Sequence, residues 1–169
     1  TKIKFPSISV GATENALLAA CGAKGKTVLS NCAIEPEILD LISFLKKLGS
    51  SINVFGRKIE IVGKNLIKKK INHNIIFDRI EAGTYLIAGA LIGKKITIKK
   101  IESKILNTEI KILKKMGINI RASKNSISIS SATSFKKLNI ITKPYPGFPT
   151  DLQAQLMVLM TQAKGVSII

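Results

Sequence analysis

Short runs of alternating hydrophobic and polar residues flank longer segments with helical spacing along the whole chain. Ile3 and Phe5 alternate with lysines, which predicts a strand with one buried face. A helix is predicted from about Thr13 to Ala23 with Gly25 as its stop, and a second strand from Thr27 to Leu29. The chain therefore begins with a strand–helix–strand pattern.

A second helix and a hairpin follow in the next segment. Pro36 suits the first turn of a helix, and apolar residues keep helical spacing as far as Gly49. Isoleucine and valine then alternate with polar residues on both sides of Gly56-Arg57, which predicts a hairpin. The apolar helix positions are Ile38, Leu41, Ile42, Leu45 and Leu48. Together these elements make one β-α-β-α-β-β unit.

The same unit begins again after Lys68, Lys69 and Lys70. The pattern predicts a strand ending at Phe77, a helix from about Glu81 to Ile92, another strand, another helix and a second hairpin. Equivalent positions lie 68 residues apart: Gly25 and Gly93, Gly49 and Gly117, Ile59 and Ile127. An internal repeat of this kind fixes the architecture better than local propensity does.

A third copy starts with a strand at Ile140-Ile141 and continues with a helix near Asp151 that stops at Gly165. A strand over Val166–Ile168 follows, so about two and a half units are present. We therefore predict an α+β fold of repeated units, in which helices cover one face of each four-stranded sheet.

The segment PYPGFPTDLQAQ, residues 144–155, carries one acidic residue, Asp151. Its prolines and glycine cannot continue a helix or a central strand, so it is predicted to be a loop that leads into a helix. Leu152, Leu156 and Leu159 are the predicted inward positions of that helix. From the local sequence, Asp151 either caps the helix or presents a carboxylate for chemistry.

The composition is that of a globular protein with a strongly basic balance. The chain has 169 residues, of which 46% are hydrophobic and 22% charged, and its net charge is +17. That charge would suit nucleic acid, but only three of the 27 basic residues are arginines and aromatics make up 5%. Abundant lysine beside isoleucine and asparagine is what an A/T-rich genome produces, and we expect no nucleic-acid partner.

Several features favour a cytoplasmic location without a membrane partner. No apolar run approaches the ~20 residues that a membrane-spanning helix needs, and the first residues do not form a signal peptide. Cys21 and Cys32 are predicted to be core thiols, although a disulfide stays possible. The single histidine, His73, is predicted to be an exposed linker residue, and no cluster of ligands at metal-binding spacing is present.

Four stretches resemble the enolpyruvyl transferases that act on UDP-N-acetylglucosamine, and they occur in the family's order. They are SVGATEN at residues 9–15, EPEI at 35–38, DRIEAGT at 78–84 and PGFPTDLQAQ at 146–155. The resemblance spans essentially the whole chain but less than half of the family's usual length. We therefore expect this chain to be a fragment whose partner is the remainder of the same polypeptide.

The resemblance implies the family's inside-out α/β barrel fold and its reaction. Residues 1–74 would be the last unit of one domain and residues 75–169 part of the second, with substrates in the cleft between them. The family moves the enolpyruvyl group of phosphoenolpyruvate to the 3-hydroxyl of UDP-N-acetylglucosamine and releases phosphate. This is the first committed step of peptidoglycan synthesis, and so serves cell wall biogenesis, cell shape and cell division. No cofactor and no metal are implied.

The resemblance also assigns roles to individual residues. Asp151 matches the aspartate proposed as the base at the sugar hydroxyl, and is the one catalytic residue that we expect here. Ser7 stands where the family commonly has a lysine, so one charged contact to the nucleotide would be missing. The expected substrate-binding residues are Ser7, Ile8, Ser9, Val10, Gly11, Asp78, Arg79 and Asp151.

Simpler explanations exist for the polar residues outside the PGFPTDLQAQ stretch. Arg79 could form a surface ion pair with Asp78 or Glu81, which would contribute only ~0–1 kcal/mol. Acidic residues of EPEI flank a helix start and would favour it electrostatically. Glu35 and Glu37 are expected to cap that helix start, and the residues expected on solvated helix faces are Lys46, Lys47, Lys114 and Lys115.

The family's paired Lys-Asn, its loop with a reactive cysteine and several of its arginines have no match in this chain. Neither Cys21 nor Cys32 lies in a matching loop, so we expect no turnover from this polypeptide alone. Two alternatives remain open: the related shikimate-pathway enolpyruvyl transferase, and a lysine-rich RNA-binding module on a similar fold. EPEI and PGFPTDLQAQ favour the sugar-nucleotide enzyme.

Overall fold

The computed structural model of the chain describes residues 1–63, 70–130, 132 and 134–169. It divides into two compact units, Thr1–Ile76 and Phe77–Ile169. Lys68 and Lys69, at which the second copy was predicted to begin, lie outside the described residues. The assignment of residues 1–74 and 75–169 to two enzyme domains stays a prediction.

The first unit has the predicted β-α-β-α-β-β order. Its sheet has the strand order β1-β2-β4-β3, in which β1 runs parallel to β2 and the other neighbours are antiparallel. The elements are β1 Lys2–Lys4, α1 Val10–Gly22, β2 Gly25–Ser30, α2 Pro36–Lys47, β3 Ser51–Phe55 and β4 Lys58–Gly63.

The core of the first unit lies between the two helices and one face of this sheet. Alternate strand residues such as Leu29, Ile59 and Ile61 are fully buried, while their neighbours point to the other face. The buried hydrophobic residues are Leu17, Ala20, Cys21, Leu29, Cys32, Ala33, Ile38, Ile42, Leu45, Ile52, Ile59 and Ile61.

The second unit begins with a helix rather than a strand. The predicted strand ending at Phe77 is wrong, because residues 70–78 have no strand structure. Asn72 and His73 instead contact α2: Lys47 Nζ donates to the Asn72 carbonyl (3.1 Å), and Asp40 Oδ1 accepts a hydrogen bond from His73 Nε2 (3.0 Å). The segment before α3 thus bonds to a helix and not to a neighbouring strand.

The remaining elements of this copy follow the predicted order. A three-stranded antiparallel sheet has the order β5-β7-β6 among the described residues. A 3₁₀ turn over Ser103–Leu106 precedes the second helix. The elements are α3 Arg79–Ile92, β5 Ile96–Lys99, α4 Asn107–Lys115, β6 Asn119–Ser123 and β7 Ser126–Ser130.

The second helix of each copy ends in the same way, 68 residues apart. Gly49 and Gly117 have φ values of 99° and 93°. The amide that follows each glycine bonds back across the turn, from Ser50 to the Leu45 carbonyl (3.1 Å) and from Ile118 to the Leu113 carbonyl (3.2 Å). These glycine stops were predicted, and the structure confirms them.

The first helix stop does not superpose, and the gap-free alignment is wrong there. α1 ends at Gly22 with Ala23 as its C-cap, and Gly25 lies in β2, whereas Gly93 is the left-handed C-cap of α3. As a result, the strand after each first helix is shifted by one residue: Leu29 pairs with Ile59, but Ile98 pairs with Ile127.

The third copy is only partly regular. β8 Phe135–Lys136 pairs in parallel with β9 Ala163–Lys164. The strands predicted at Ile140-Ile141 and Val166–Ile168 are wrong, since the described residues of this region form only isolated bridges, Asn139 with Ile168 and Thr142 with Phe148. The Asn139–Ile168 bridge has two backbone bonds, from the Ile140 amide to the Ile168 carbonyl (2.9 Å) and from the Ile168 amide to the Leu138 carbonyl (3.3 Å), and Asn139 Oδ1 also accepts the Ile168 amide at 3.0 Å.

The predicted helix near Asp151 consists of a 3₁₀ turn, Thr150–Leu152, and then α5 Gln153–Met160. Leu152, Leu156 and Leu159 are fully buried in the core of the second unit, as predicted. No helix in the described ranges is both long and apolar enough to cross a membrane. The buried hydrophobic residues of this core are Ala82, Leu86, Ile87, Ala90, Ile101, Leu106, Ile110, Leu113, Met116, Ile118, Ile120, Ile127, Ile129, Phe148, Leu152, Leu156, Leu159 and Met160.

Candidate functional site

Asp151 lies on the 3₁₀ turn that starts α5, and its side chain is exposed. Leu152, which follows it, is fully buried and packs against Gly83 of α3. A Cβ at Gly83 would lie 2.5 Å from Leu152 Cδ1, so the absence of a side chain there makes the approach possible. The backbone under Asp151 is therefore fixed by the core while the carboxylate faces outward.

The Asp151 carboxylate does not cap the helix. Pro149 holds the N-cap position of the 3₁₀ turn, and no hydrogen bond or ion pair to Asp151 occurs among the described residues. The side chain is thus available for a ligand, and the structure does not support the capping interpretation.

The loop before Asp151 is closed by its own backbone. The Gly147 amide donates to the Pro144 carbonyl at 2.8 Å, and the Lys143 amide donates to the Phe148 carbonyl at 2.9 Å. The Tyr145–Pro146 peptide bond is cis. Phe148 is 3% exposed and attaches the end of the loop to the core.

Asp78 and Arg79 begin α3 in the same unit. Asp78 is the N-cap, and its Oδ1 accepts the amides of Ile80 (2.7 Å) and Glu81 (3.0 Å). Arg79 is only 6% exposed, so its interpretation as half of a surface ion pair is wrong. Its guanidinium carbon lies 5.8 Å from the centroid of the Tyr145 ring, which links the start of α3 to the loop before Asp151.

Glu109 is a buried acid near this cluster. It is 4% exposed on α4, and burial raises the pKa of its carboxyl group, while its own backbone amide and the charge of Arg79 oppose that rise. The structure therefore brings Arg79 against Tyr145 of the loop that leads to Asp151, and the charge of Arg79 also acts on Glu109. The PYPGFPTDLQAQ segment drew attention to Tyr145, but no local signal marks Glu109.

The segment Ser7–Gly11 belongs to the first unit and leads into α1. Ser9 is the N-cap: its Oγ accepts the Ala12 amide at 3.2 Å, and its carbonyl accepts the Thr13 amide at 3.1 Å. Thr13 Oγ1 also donates to the Ser9 carbonyl and accepts the Ala33 amide. The start of α1 is therefore held by bonds within its first turn and by the bond from Ala33. A backbone anion-binding site before a helix requires such a fixed backbone. Of the predicted residues, Ser7 and Gly11 are exposed and Ile8, Ser9 and Val10 half-buried.

The polar residues with simpler explanations are placed as follows. Glu35 is the N-cap of α2 and makes no side-chain capping bond, and Glu37 lies in the first turn, where the dipole favours it. The lysine pairs at 46–47 and 114–115 are exposed, as predicted. His73 is not an exposed linker residue: its side chain is 9% exposed, and its ring contacts the edge of Phe44 with centroids 5.5 Å apart.

Neither cysteine is placed for catalysis. Cys21 and Cys32 are free thiols with 1% and 0% exposure, which confirms the prediction of core thiols. Burial raises the pKa of the Cys32 thiol, while a hydrogen bond with the backbone of Ile59 and the charge of Arg57 oppose that rise. In the ranges that the structure describes, no group of three or more possible ligands could hold a metal ion.

Comparison with known proteins agrees with the geometry. The sequence profile of EPSP synthase (3-phosphoshikimate 1-carboxyvinyltransferase) matches residues 1–169. A UDP-N-acetylglucosamine 1-carboxyvinyltransferase of Pelagibacter ubique (strain HTCC1062) is 56% identical over 162 residues, covering 95% of this chain and 39% of that protein. The protein of the same name from Orientia tsutsugamushi (strain Ikeda) is 48% identical over 168 residues, covering 98% and 40%. The chain thus spans about two fifths of the length of these curated relatives.

Solved structures share the fold. The enolpyruvyl transferase NikO from Streptomyces tendae superposes with a TM-score of 0.82 and 24% identity, over 92% of this chain and 38% of that one. An EPSP synthase from Acinetobacter baumannii gives a TM-score of 0.63 and 21% identity, over 99% and 39%. The repeated α+β units are therefore those of the enolpyruvyl transferase fold, and the chain belongs to the EPSP synthase (3-phosphoshikimate 1-carboxyvinyltransferase) family.

Proposed function

We propose that this chain forms part of an enzyme that transfers the enolpyruvyl group of phosphoenolpyruvate to UDP-N-acetylglucosamine. The observation that carries the proposal is the exposed Asp151 carboxylate, fixed by a buried leucine at the end of the PGFPTD loop. The names of the curated relatives, up to 56% identical, support the sugar nucleotide as acceptor. The EPSP synthases among the solved structures are more distant, at 21% identity.

Asp151 serves as the base in the proposed mechanism. Its carboxylate accepts the proton of the sugar 3-hydroxyl as the hydroxyl oxygen bonds to C2 of phosphoenolpyruvate, while an acid outside this chain protonates C3. Loss of a proton from that methyl group and departure of phosphate from C2 then restore the double bond. Catalysis then depends on the placement of this carboxylate.

The other predicted residues bind substrate in this proposal. Ser7, Ile8, Ser9, Val10 and Gly11 would hold the nucleotide through backbone amides at the start of α1. Asp78 and Arg79 would line the part of the site that binds the sugar. The buried Arg79 guanidinium places a positive charge beside the loop that leads to Asp151. The reaction would take place in the cytoplasm as the first committed step of peptidoglycan synthesis, without a membrane or nucleic-acid partner.

A chimera tests the proposal, in which this chain replaces the matching segment of the Pelagibacter ubique relative. We expect phosphate release from phosphoenolpyruvate with UDP-N-acetylglucosamine and none with 3-phosphoshikimate. The reverse preference would contradict the proposal, with circular dichroism as the check on folding. The purified 169-residue chain should release no phosphate with either acceptor, because the acid lies outside it.

A further inference from the structure

One side chain outside the 144–149 loop forms a hydrogen bond to that loop's backbone. Thr108, the second residue of α4, donates its hydroxyl to the Pro146 carbonyl at 2.6 Å. We propose that Thr108 is a positioning residue that fixes the turn before Asp151 and so places the catalytic carboxylate. The inference rests on the proposed function for its kinetic consequence, but not for its structural one.

The bond reaches the part of the loop that the core does not hold. Phe148 and Pro149 are buried at the loop's end, whereas Pro144 and Pro146 are exposed. The Gly147 amide bonds to the Pro144 carbonyl within the loop, which closes the turn but does not connect it to the rest of the unit. The Thr108 hydroxyl makes that connection, from a helix whose next residues are buried.

A second contact holds the neighbouring residue. The Tyr145 ring lies 5.8 Å from the guanidinium carbon of Arg79, and the charge of Arg79 also acts on the buried Glu109 beside Thr108. The starts of α3 and α4 thus meet the loop at two successive residues. Of these two contacts, the Thr108 bond is directional, so it sets the position of the Pro146 carbonyl more narrowly than a ring contact does.

The expected consequence is kinetic. Asp151 lies five residues after Pro146, and Pro146 itself lies inside the turn that the Gly147–Pro144 and Lys143–Phe148 backbone bonds close. A base must be held within about 0.5 Å of its productive position, and a misplacement of about 1 Å can reduce the rate ~10²-fold. Loss of the Thr108 bond should therefore lower turnover without removing any group that contacts substrate.

The test compares three variants in the chimera. Thr108→Val removes the hydroxyl at nearly constant volume, and Thr108→Ser keeps it. Thr97→Val is the matched control, because the Thr97 hydroxyl also bonds to one partner, Ser128 Oγ at 2.9 Å, but on the sheet of the same unit. We expect Thr108→Val to lower kcat at least about tenfold with KM values within about twofold of the parent. The Ser variant and the control should keep the parent kcat.

Amide hydrogen exchange on the 169-residue chain tests the structural part separately. Protection of the Gly147 amide should be lost in Thr108→Val, kept in Thr108→Ser and unchanged in Thr97→Val. An unchanged Gly147 amide, or an unchanged kcat in an active chimera, would overturn the proposal. If the parent chimera transfers no enolpyruvyl group, the proposed function fails and the exchange result alone decides whether Thr108 fixes the turn.

Discussion

Asp78 and Asp151 both stand beside a helix start, but their carboxylates have different roles. Asp78 is the N-cap of α3 and its Oδ1 accepts two amides. Asp151 lies one residue inside its turn, where the N-cap geometry is not available to it. Asp78 thus stands at an N-cap and Asp151 two residues after one, and of the two carboxylates only that of Asp78 is held by backbone amides.

The sequence could predict Asp151 but not the residues around it. The Pro/Gly loop and the following leucines indicated an acid at a helix start, and the structure has it there. Arg79 and Thr108 approach the loop only because α3 and α4 belong to one core, and no spacing in the sequence encodes these contacts. His73 was mispredicted for the same reason, because its partner Asp40 is 33 residues away.

Glu60 provides a test of electrostatics at the residue scale. Hydrogen bonds from Lys26 and Lys58, both at 2.7 Å, lower its pKa from 4.5 to about 2. Because the folded-state pKa is lowered, the stabilisation is complete above about pH 4.5 and is lost as the pH falls towards 2.

We therefore expect Glu60→Gln to have a flatter unfolding free energy between pH 4.5 and 2 than the parent. The measurement is denaturant unfolding of both proteins across this range. Contributions from the other carboxylates cancel in the difference, so parallel profiles would contradict the prediction.

At the scale of elements, the glycine stops show what a sequence can fix. A helix that turns sharply after its last residue needs a left-handed position, and glycine takes it without steric cost, so Gly49 and Gly117 were identifiable. The one-residue shift between β2 and β5 was not identifiable. It depends on whether the preceding helix ends at an extended Ala23 or a left-handed Gly93, which the tertiary packing decides.

These stops can be tested by substitution. Gly117→Ala should destabilise the second unit by about 1–2 kcal/mol, because a non-glycine residue at φ 93° pays a steric cost. Gly22→Ala is the control: this glycine is the last residue of α1, its φ is not positive, and a Cβ there would meet nothing within 4 Å. The control should be neutral or slightly stabilising. Equal destabilisation of both variants in thermal unfolding would contradict this account of the stop.

At the scale of the whole molecule, the repeat predicted the fold, but the charge was open to two interpretations. Lys26, Lys58 and Lys104 each form an ion pair with a glutamate in the structure. The largest exposed aromatic side chains, Phe55 and Tyr85, lie in different units, so neither unit presents two of them as a stacking platform. Both observations favour a solvated lysine surface over an RNA-binding one.

Single-stranded RNA titrations test the charge directly. We expect binding in the non-specific range, no tighter than about 10⁻⁶ M at 200 mM salt, and steeply weaker than at 50 mM. Fluorescence anisotropy with labelled RNA provides the measurement. Sub-micromolar, salt-resistant binding would instead favour the RNA-binding module.

The central claim is that Asp151 is exposed for catalysis and not for folding. The most direct measurement compares kcat and the unfolding free energy of the chimera with and without Asp151→Asn. We expect kcat to fall about 10²–10⁴-fold, with the unfolding free energy changed by less than about 0.5 kcal/mol. A variant that keeps the parent kcat, or loses stability in step with activity, would contradict the account.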